Sequence, residues 1–157
     1  MISALQKILD SEDFPEGSAW RTRMFAAQEV IVREGEQDGH LYLVVTGDLR
    51  VTGQVEIDDT RKMHPGICDL GPGDVFGELR LFDEQPRSAT VEGLNPGQLI
   101  EIDANHLNQW MDRHPALGLR TLREFYGELI RRLRKTNQRV ESLLVWGLRA
   151  HGIDKHF

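Results

Sequence analysis

Between Trp20 and Asp103 no apolar segment runs longer than strand length before glycine or a polar turn interrupts it. The segments are EVIVRE (29–34), LYLVV (41–45), LRVTGQVEI (49–57), GICDL (66–70), RSATV (87–91) and QLIEID (98–103). Turn signals separate them at Arg33-Glu34-Gly35-Glu36, Thr46-Gly47-Asp48, Gly71-Pro72-Gly73-Asp74 and Asn95-Pro96-Gly97. In the last, Pro in the second turn position and Gly in the third predict a type II turn, whose third residue needs positive φ. Short strands at near-regular spacing, with no helices alternating among them, do not suit a parallel α/β sheet. They predict a mainly β fold, a closed unit such as a jelly roll.

The pattern changes on either side of this segment. Ile2, Leu5, Ile8 and Leu9 mark one face of a short amphipathic helix. After Asp103, Asn105 is placed to cap a helix running to about Arg113, and His114-Pro115 interrupts it. From Ala116 the chain reads as one long helix. Leu122, Tyr126, Leu129, Leu133, Thr136, Val140 and Leu143 follow the four-three spacing of a coiled-coil seam. Leu119, Phe125, Ile130 and Leu144 widen that face, enough for one side to pack on the domain and another on a partner. These features divide a single domain over 1–157 into a lead-in helix (1–18), a β unit (19–103), flanking helices (104–146) and a tail (147–157), a length that suits one core.

Composition narrows the function classes. With 39% hydrophobic and 28% charged residues, wholesale disorder is not expected. No window reaches the ~18–20 apolar residues of a membrane helix, and the acidic N-terminus has no signal-peptide run. The single cysteine, Cys68, has no internal partner, which fits a reducing cytoplasm, and within GICDL it reads as a small buried hydrophobe. The histidines are scattered, without HExxH or CxxC spacing, so no enzyme, metal or cofactor is expected. Residues 1–119 hold 10 Lys and Arg against 21 Asp and Glu, whereas residues 120–157 hold 9 against 4. Such a basic segment reads either as a nucleic-acid arm or as the solvated face of a helix. The second is preferred, because no base-reading element follows it and specific DNA binding is not expected.

The chemistry concentrates in FGELRLFDEQPRSATV, residues 76–91. Glu78 and Arg87 stand nine positions apart, flanking Leu79, Leu81 and Phe82. Either they neutralise each other in a turn, or they await a ligand that carries both an anion and hydroxyl groups.

Several strings here match one family: Gly35-Glu36, Leu41-Tyr42, Val44 and Gly47, then LGPGDVFGEL (70–79) and PRSATV (86–91). Together they resemble the cyclic nucleotide-binding domain of catabolite activator proteins, protein kinase A regulatory subunits and cyclic-nucleotide-gated channels. The resemblance runs from Val30 to about Val140. It implies an eight-stranded β-roll with flanking helices, a phosphate-binding cassette over 76–91, and cAMP or cGMP as ligand.

On that resemblance, Arg87 would engage the two exocyclic phosphate oxygens with its planar fork. Backbone N–H groups of Ser88 and Ala89, and those of Gly77, Glu78 and Leu79 at the start of a short helix over 77–81, would face the same anion. Glu78 would accept a hydrogen bond from the ribose 2′-hydroxyl. The string RRLRKTN is similar to the long helix of the activators, where a Thr-Ser pair meets adenine, one residue from each subunit. Thr136 would keep that role, and Asn137 can donate to and accept from a purine edge. Both residues would equally serve as polar register-setters in a coiled coil.

This pair favours cAMP. The implied partners are a second copy bound through the long helix and an unnamed downstream protein. The alternative is a degenerate member that acts as a ligand-independent interaction module. One position departs from the family: Arg80 stands where a small residue is usual. Pointing outward along the short helix, it would be harmless or mildly useful to an anion; pointing inward, it would crowd the ribose or pair with Glu78.

Overall fold

The computed structural model describes residues 3–64 and 66–156. The glycine-punctuated segment supplies ten strands. They are β1 (Trp20–Phe25), β2 (Val30–Val32), β3 (His40–Thr46), β4 (Leu49–Thr52), β5 (Val55–Asp58), β6 (Arg61–Met63), β7 (Gly66–Leu70), β8 (Val75–Phe76), β9 (Thr90–Gly93) and β10 (Gly97–Asp103). Eight of them form two four-stranded antiparallel sheets, in the orders β1-β10-β3-β8 and β2-β9-β4-β7. Phe25, Tyr42, Val44 and Leu99 from the first sheet meet Ile31, Leu49, Leu70 and Val91 from the second in one buried cluster. The result is a jelly-roll β-roll with flanking helices, as the strand pattern predicts.

The second face of the first sheet is also covered. Leu41 and Leu43 alternate with Tyr42 and Val44 along β3, and pack under α1 (Ser3–Leu9), α2 (Ala104–Arg113) and the start of α3 (Pro115–Ala150). A strand buried on both faces needs apolar residues at every position, which explains the run Leu41 to Val44, whereas Val45 is exposed.

Four local expectations need correction. LRVTGQVEI is not one strand: it breaks at Gly53-Gln54 into β4 and β5, and β5 pairs only with β6 in a separate two-stranded hairpin. The segment RSATV begins its strand only at Thr90, which leaves Arg87, Ser88 and Ala89 in the loop before β9. The α2 cap is Asp103, whose carboxylate accepts from the His106 N–H at 2.8 Å, so β10 runs directly into α2 without Asn105 outside it.

At Asn95-Pro96-Gly97 there is no type II turn, because Gly97 does not have positive φ. Glycine is needed there for space instead. A Cβ would lie 2.2 Å from the Thr46 carbonyl oxygen and 2.4 Å from the Phe25 ring.

The helix α3 has 36 residues and so extends about 54 Å. Its first turns are part of the core. Thr121 and Phe125 are buried, and Gly118 lies so close to Met111 of α2 that a Cβ would fall 2.9 Å from the methionine Cβ. Further along the helix leaves the roll: Leu133 is 60% exposed, Leu143 65% and Trp146 70%.

Candidate ligand-binding site

A cavity of about 390 Å³ opens between the second sheet, the loop from Gly77 to Ala89, and α3. Val32, Val51, Leu70 and Val91 supply apolar lining from the sheet, and Leu129 and Arg132 form the helix side. Cys68 lines it too, with burial pushing its thiol above the usual range, so it stays protonated.

Arg87 is 10% exposed, and its guanidinium is held by residues of the roll. Nη2 donates to Asp38 Oδ2 at 2.7 Å and to the His40 carbonyl, and Nη1 donates to the Gly77 carbonyl at 3.4 Å. The guanidinium carbon stands 5.9 Å from the centre of the Tyr42 ring, which stacks on Phe76.

Asp38 gathers this end together. Besides Arg87 it accepts from the Tyr42 hydroxyl at 2.8 Å and contacts His40 Nδ1 at 2.8 Å. Burial alone would raise the Asp38 pKa, but the bonds from Arg87, His40 and Tyr42 hold it at about 2. The Asp38 carboxylate that faces Arg87 is therefore ionised at neutral pH.

Gly77 makes the close approach possible. It has φ 76°, and a Cβ there would sit 2.7 Å from Arg87 Nη1. Any side chain would be strained in that conformation and would displace the guanidinium.

Glu78 opens the short 3-10 turn Glu78–Leu81 and is only 6% exposed. Burial pushes its carboxyl above the usual range, and the charges of Arg132 and Arg87 offset this in part. Its ion-pair partner is Arg132 of α3, with Nη1 at 3.3 Å while Nη2 donates to the Val75 carbonyl. Glu78 and Arg87 thus do not clasp each other among the described residues; each has its own partner.

Six of the residues singled out from the sequence line this one cavity: Gly77, Glu78, Leu79, Arg87, Ser88 and Ala89. Thr136 and Asn137 do not. They are exposed on α3 beyond Arg132, and the Thr136 hydroxyl donates to the Arg132 carbonyl of its own helix. Sequence reasoning missed Asp38, Tyr42 and Arg132. For Arg132 a signal existed, since it lies three residues from Leu129 and four from Thr136, hence on the same helix face. Arg80 lines the cavity as well, and does not pair with Glu78 among the described residues. No group of His, Cys, Asp and Glu suited to a metal, and no helix long and apolar enough to cross a membrane, occurs among the described residues.

Comparison with known proteins agrees with this geometry. The profile of the cyclic nucleotide-binding domain matches residues 22–114. The chain is 29% identical over 143 residues to the CRP-like cAMP-activated global transcriptional regulator of Mycobacterium tuberculosis, covering 91% of this chain and 55% of that protein. It is 32% identical over 108 residues to the cAMP-dependent protein kinase regulatory subunit of Dictyostelium discoideum, covering 69% of this chain and 33% of that protein. It therefore spans about half of the first relative and a third of the second.

A crystallised cyclic nucleotide-binding domain from Methylobacillus flagellatus shares the fold with a TM-score of 0.68 at 24% identity, covering 78% of this chain and 67% of that one. The segment 22–114 that matches the profile contains both sheets of the roll apart from the start of β1, together with the Arg87–Asp38 pair and Glu78. The chain belongs to the cyclic nucleotide-binding domain family.

Proposed function

We propose that this chain is a non-enzymatic sensor that binds cAMP, in preference to cGMP, in the cavity between the Gly77–Ala89 loop and α3. The observation that carries this reading is the separate bracing of the two charges. Arg87 is fixed by Asp38, and Glu78 is held elsewhere by Arg132. A relic that had lost its ligand would be free to let the two charges neutralise each other.

The phosphate would meet Arg87 and the backbone N–H groups of Ser88 and Ala89. The ribose 2′-hydroxyl would donate to Glu78, in competition with Arg132. Thr136 and Asn137 would reach the base once α3 changes its angle on the roll, or they would be supplied by a second copy. Because the ligand touches both the roll and α3, it has the differential contacts a population shift requires.

Output would pass along α3 to a homodimer mate and then to a downstream protein. Tyr126, Leu133, Val140 and Leu143 are exposed at the seam spacing, in keeping with such an assembly. Calorimetric titration with cAMP, cGMP and cyclic dinucleotides tests the proposal. Saturable binding of cAMP, one per chain, is expected. If no cyclic nucleotide binds at millimolar concentration, the sensor reading fails and a ligand-independent interaction module takes its place.

A further inference from the structure

Arg80 has no role in the account so far, yet it is the most conspicuous polar group in the cavity. It sits in the middle of the 3-10 turn and lines the same cavity as Arg87. Its Nη1 is buried with no hydrogen-bond partner among the described residues, and Arg87 Nε is in the same condition. The other cavity charges are committed. Arg132 is taken by Glu78 and the Val75 carbonyl, while Arg87 Nη2 is taken by Asp38 and the His40 carbonyl. No carboxylate pairs with Arg80 among the described residues, and Asp83, which also lines the cavity, is exposed and accepts from the Gln85 N–H. Two residues that line one cavity, Arg80 and Arg87, thus each carry a buried guanidinium donor without an acceptor, an unfavourable state that a shift of either side chain toward an anion would relieve.

We propose that Arg80 is a second phosphate-binding arginine, so that the ligand's phosphodiester is gripped by two guanidinium groups. The inference rests on the cyclic-nucleotide reading of this cavity. With Nη2 on Asp38 and the His40 carbonyl and Nη1 on the Gly77 carbonyl, Arg87 has only part of its fork left for the anion. A phosphodiester has two non-bridging oxygens, so a second cation can take the oxygen that Arg87 leaves exposed. The site would then be selected by a phosphate that accepts from both guanidinium groups. An arginine at a position that is usually small becomes a ligand rather than an obstacle.

The test compares cAMP affinity of wild type, Arg80→Ala and Arg80→Lys by calorimetry, with thermal midpoints recorded alongside. A clamp predicts that Arg80→Ala loses about tenfold or more in affinity. Arg80→Lys, which keeps the charge, should recover part of that loss. If instead the side chain only fills space, Arg80→Ala binds cAMP equally or more tightly, and the proposal is overturned. Should Arg80→Ala fail to fold, Arg80→Gln is measured in its place, since it keeps a polar chain while removing the charge and the guanidinium fork. Weakened binding in Arg87→Ala with none in the Arg80 variants would overturn the clamp and leave the sensor reading standing. Absence of cAMP binding by wild type would overturn both.

Discussion

The two ends of the cavity are built differently. At the Arg87 end, every group that holds the guanidinium belongs to the roll: Asp38 just before β3, the His40 carbonyl within it, and the Gly77 carbonyl. At the opposite end, Glu78 is held by Arg132, which belongs to α3. The same stretch of helix has other ties to the roll, in the Arg139 bond to the Ile67 carbonyl and the 3.7 Å contact of Arg131 with Asp74. One end is thus preformed by the sheet, and the other depends on where the helix lies. A ligand that spans both would read out, and bias, the helix position.

The largest effect is expected at the preformed end. Arg87→Ala should weaken cAMP binding by about 2–5 kcal/mol, because a desolvated phosphate loses its cation. That corresponds to roughly 30-fold to several-thousand-fold in calorimetric affinity. Equal affinities would remove the phosphate end from the account.

At the helix-dependent end, Glu78→Gln should weaken cAMP by about 1.5–3 kcal/mol, the usual worth of a hydrogen bond to a charged group. The same variant should keep or raise the thermal midpoint. With the Glu78 pKa raised by burial, the ionised carboxylate opposes folding, and its contribution becomes less favourable as pH rises through that raised value. A falling midpoint at neutral pH would show that the Arg132 pair outweighs burial.

Asp38→Asn separates stability from binding at the preformed end. The Asp38 carboxyl is lowered from its usual 3.8 to about 2. Its contribution is thus fully present above the unfolded value and is lost as pH falls through the folded one. The variant should lose about 2 kcal/mol of unfolding free energy at pH 7 by chemical denaturation. It should also lack the part of the wild-type decline that lies between pH 4 and 2. Arg132→Ala leaves the buried Glu78 carboxyl without its ion-pair partner and should cost about 1–3 kcal/mol of local stability. Amide exchange should quicken over residues 129–139 while β3 keeps its protection. Quickened exchange throughout β3 would mean that the two ends are not independent.

These contrasts also explain what could be read in the sequence. The roll was legible because burial on both faces of a strand writes itself locally, as in Leu41 to Val44, and because glycines mark the breaks. β1 was not, since WRTRMF has no apolar run and owes its form to six residues of pairing with β10. Arg87 and Glu78 were legible because both lie in one short local pattern. Their partners were not: Asp38 is 49 positions from Arg87, and Arg132 is 54 from Glu78. Such pairs are created by the fold and leave no spacing to detect. Gly97 shows the converse, where a recognisable turn string owes its glycine to the Phe25 ring beside it.

The most direct check on the whole arrangement is a paired titration of the wild-type chain with cAMP and 2′-deoxy-cAMP, repeated in Glu78→Gln. If one cyclic nucleotide bridges the two ends, wild type should prefer cAMP by about tenfold or more, as for a hydrogen bond to a charged group. Glu78→Gln should lose most of that preference while still binding both. Equal affinity of wild type for the two nucleotides would contradict a sugar held at Glu78 and a phosphate held at Arg87.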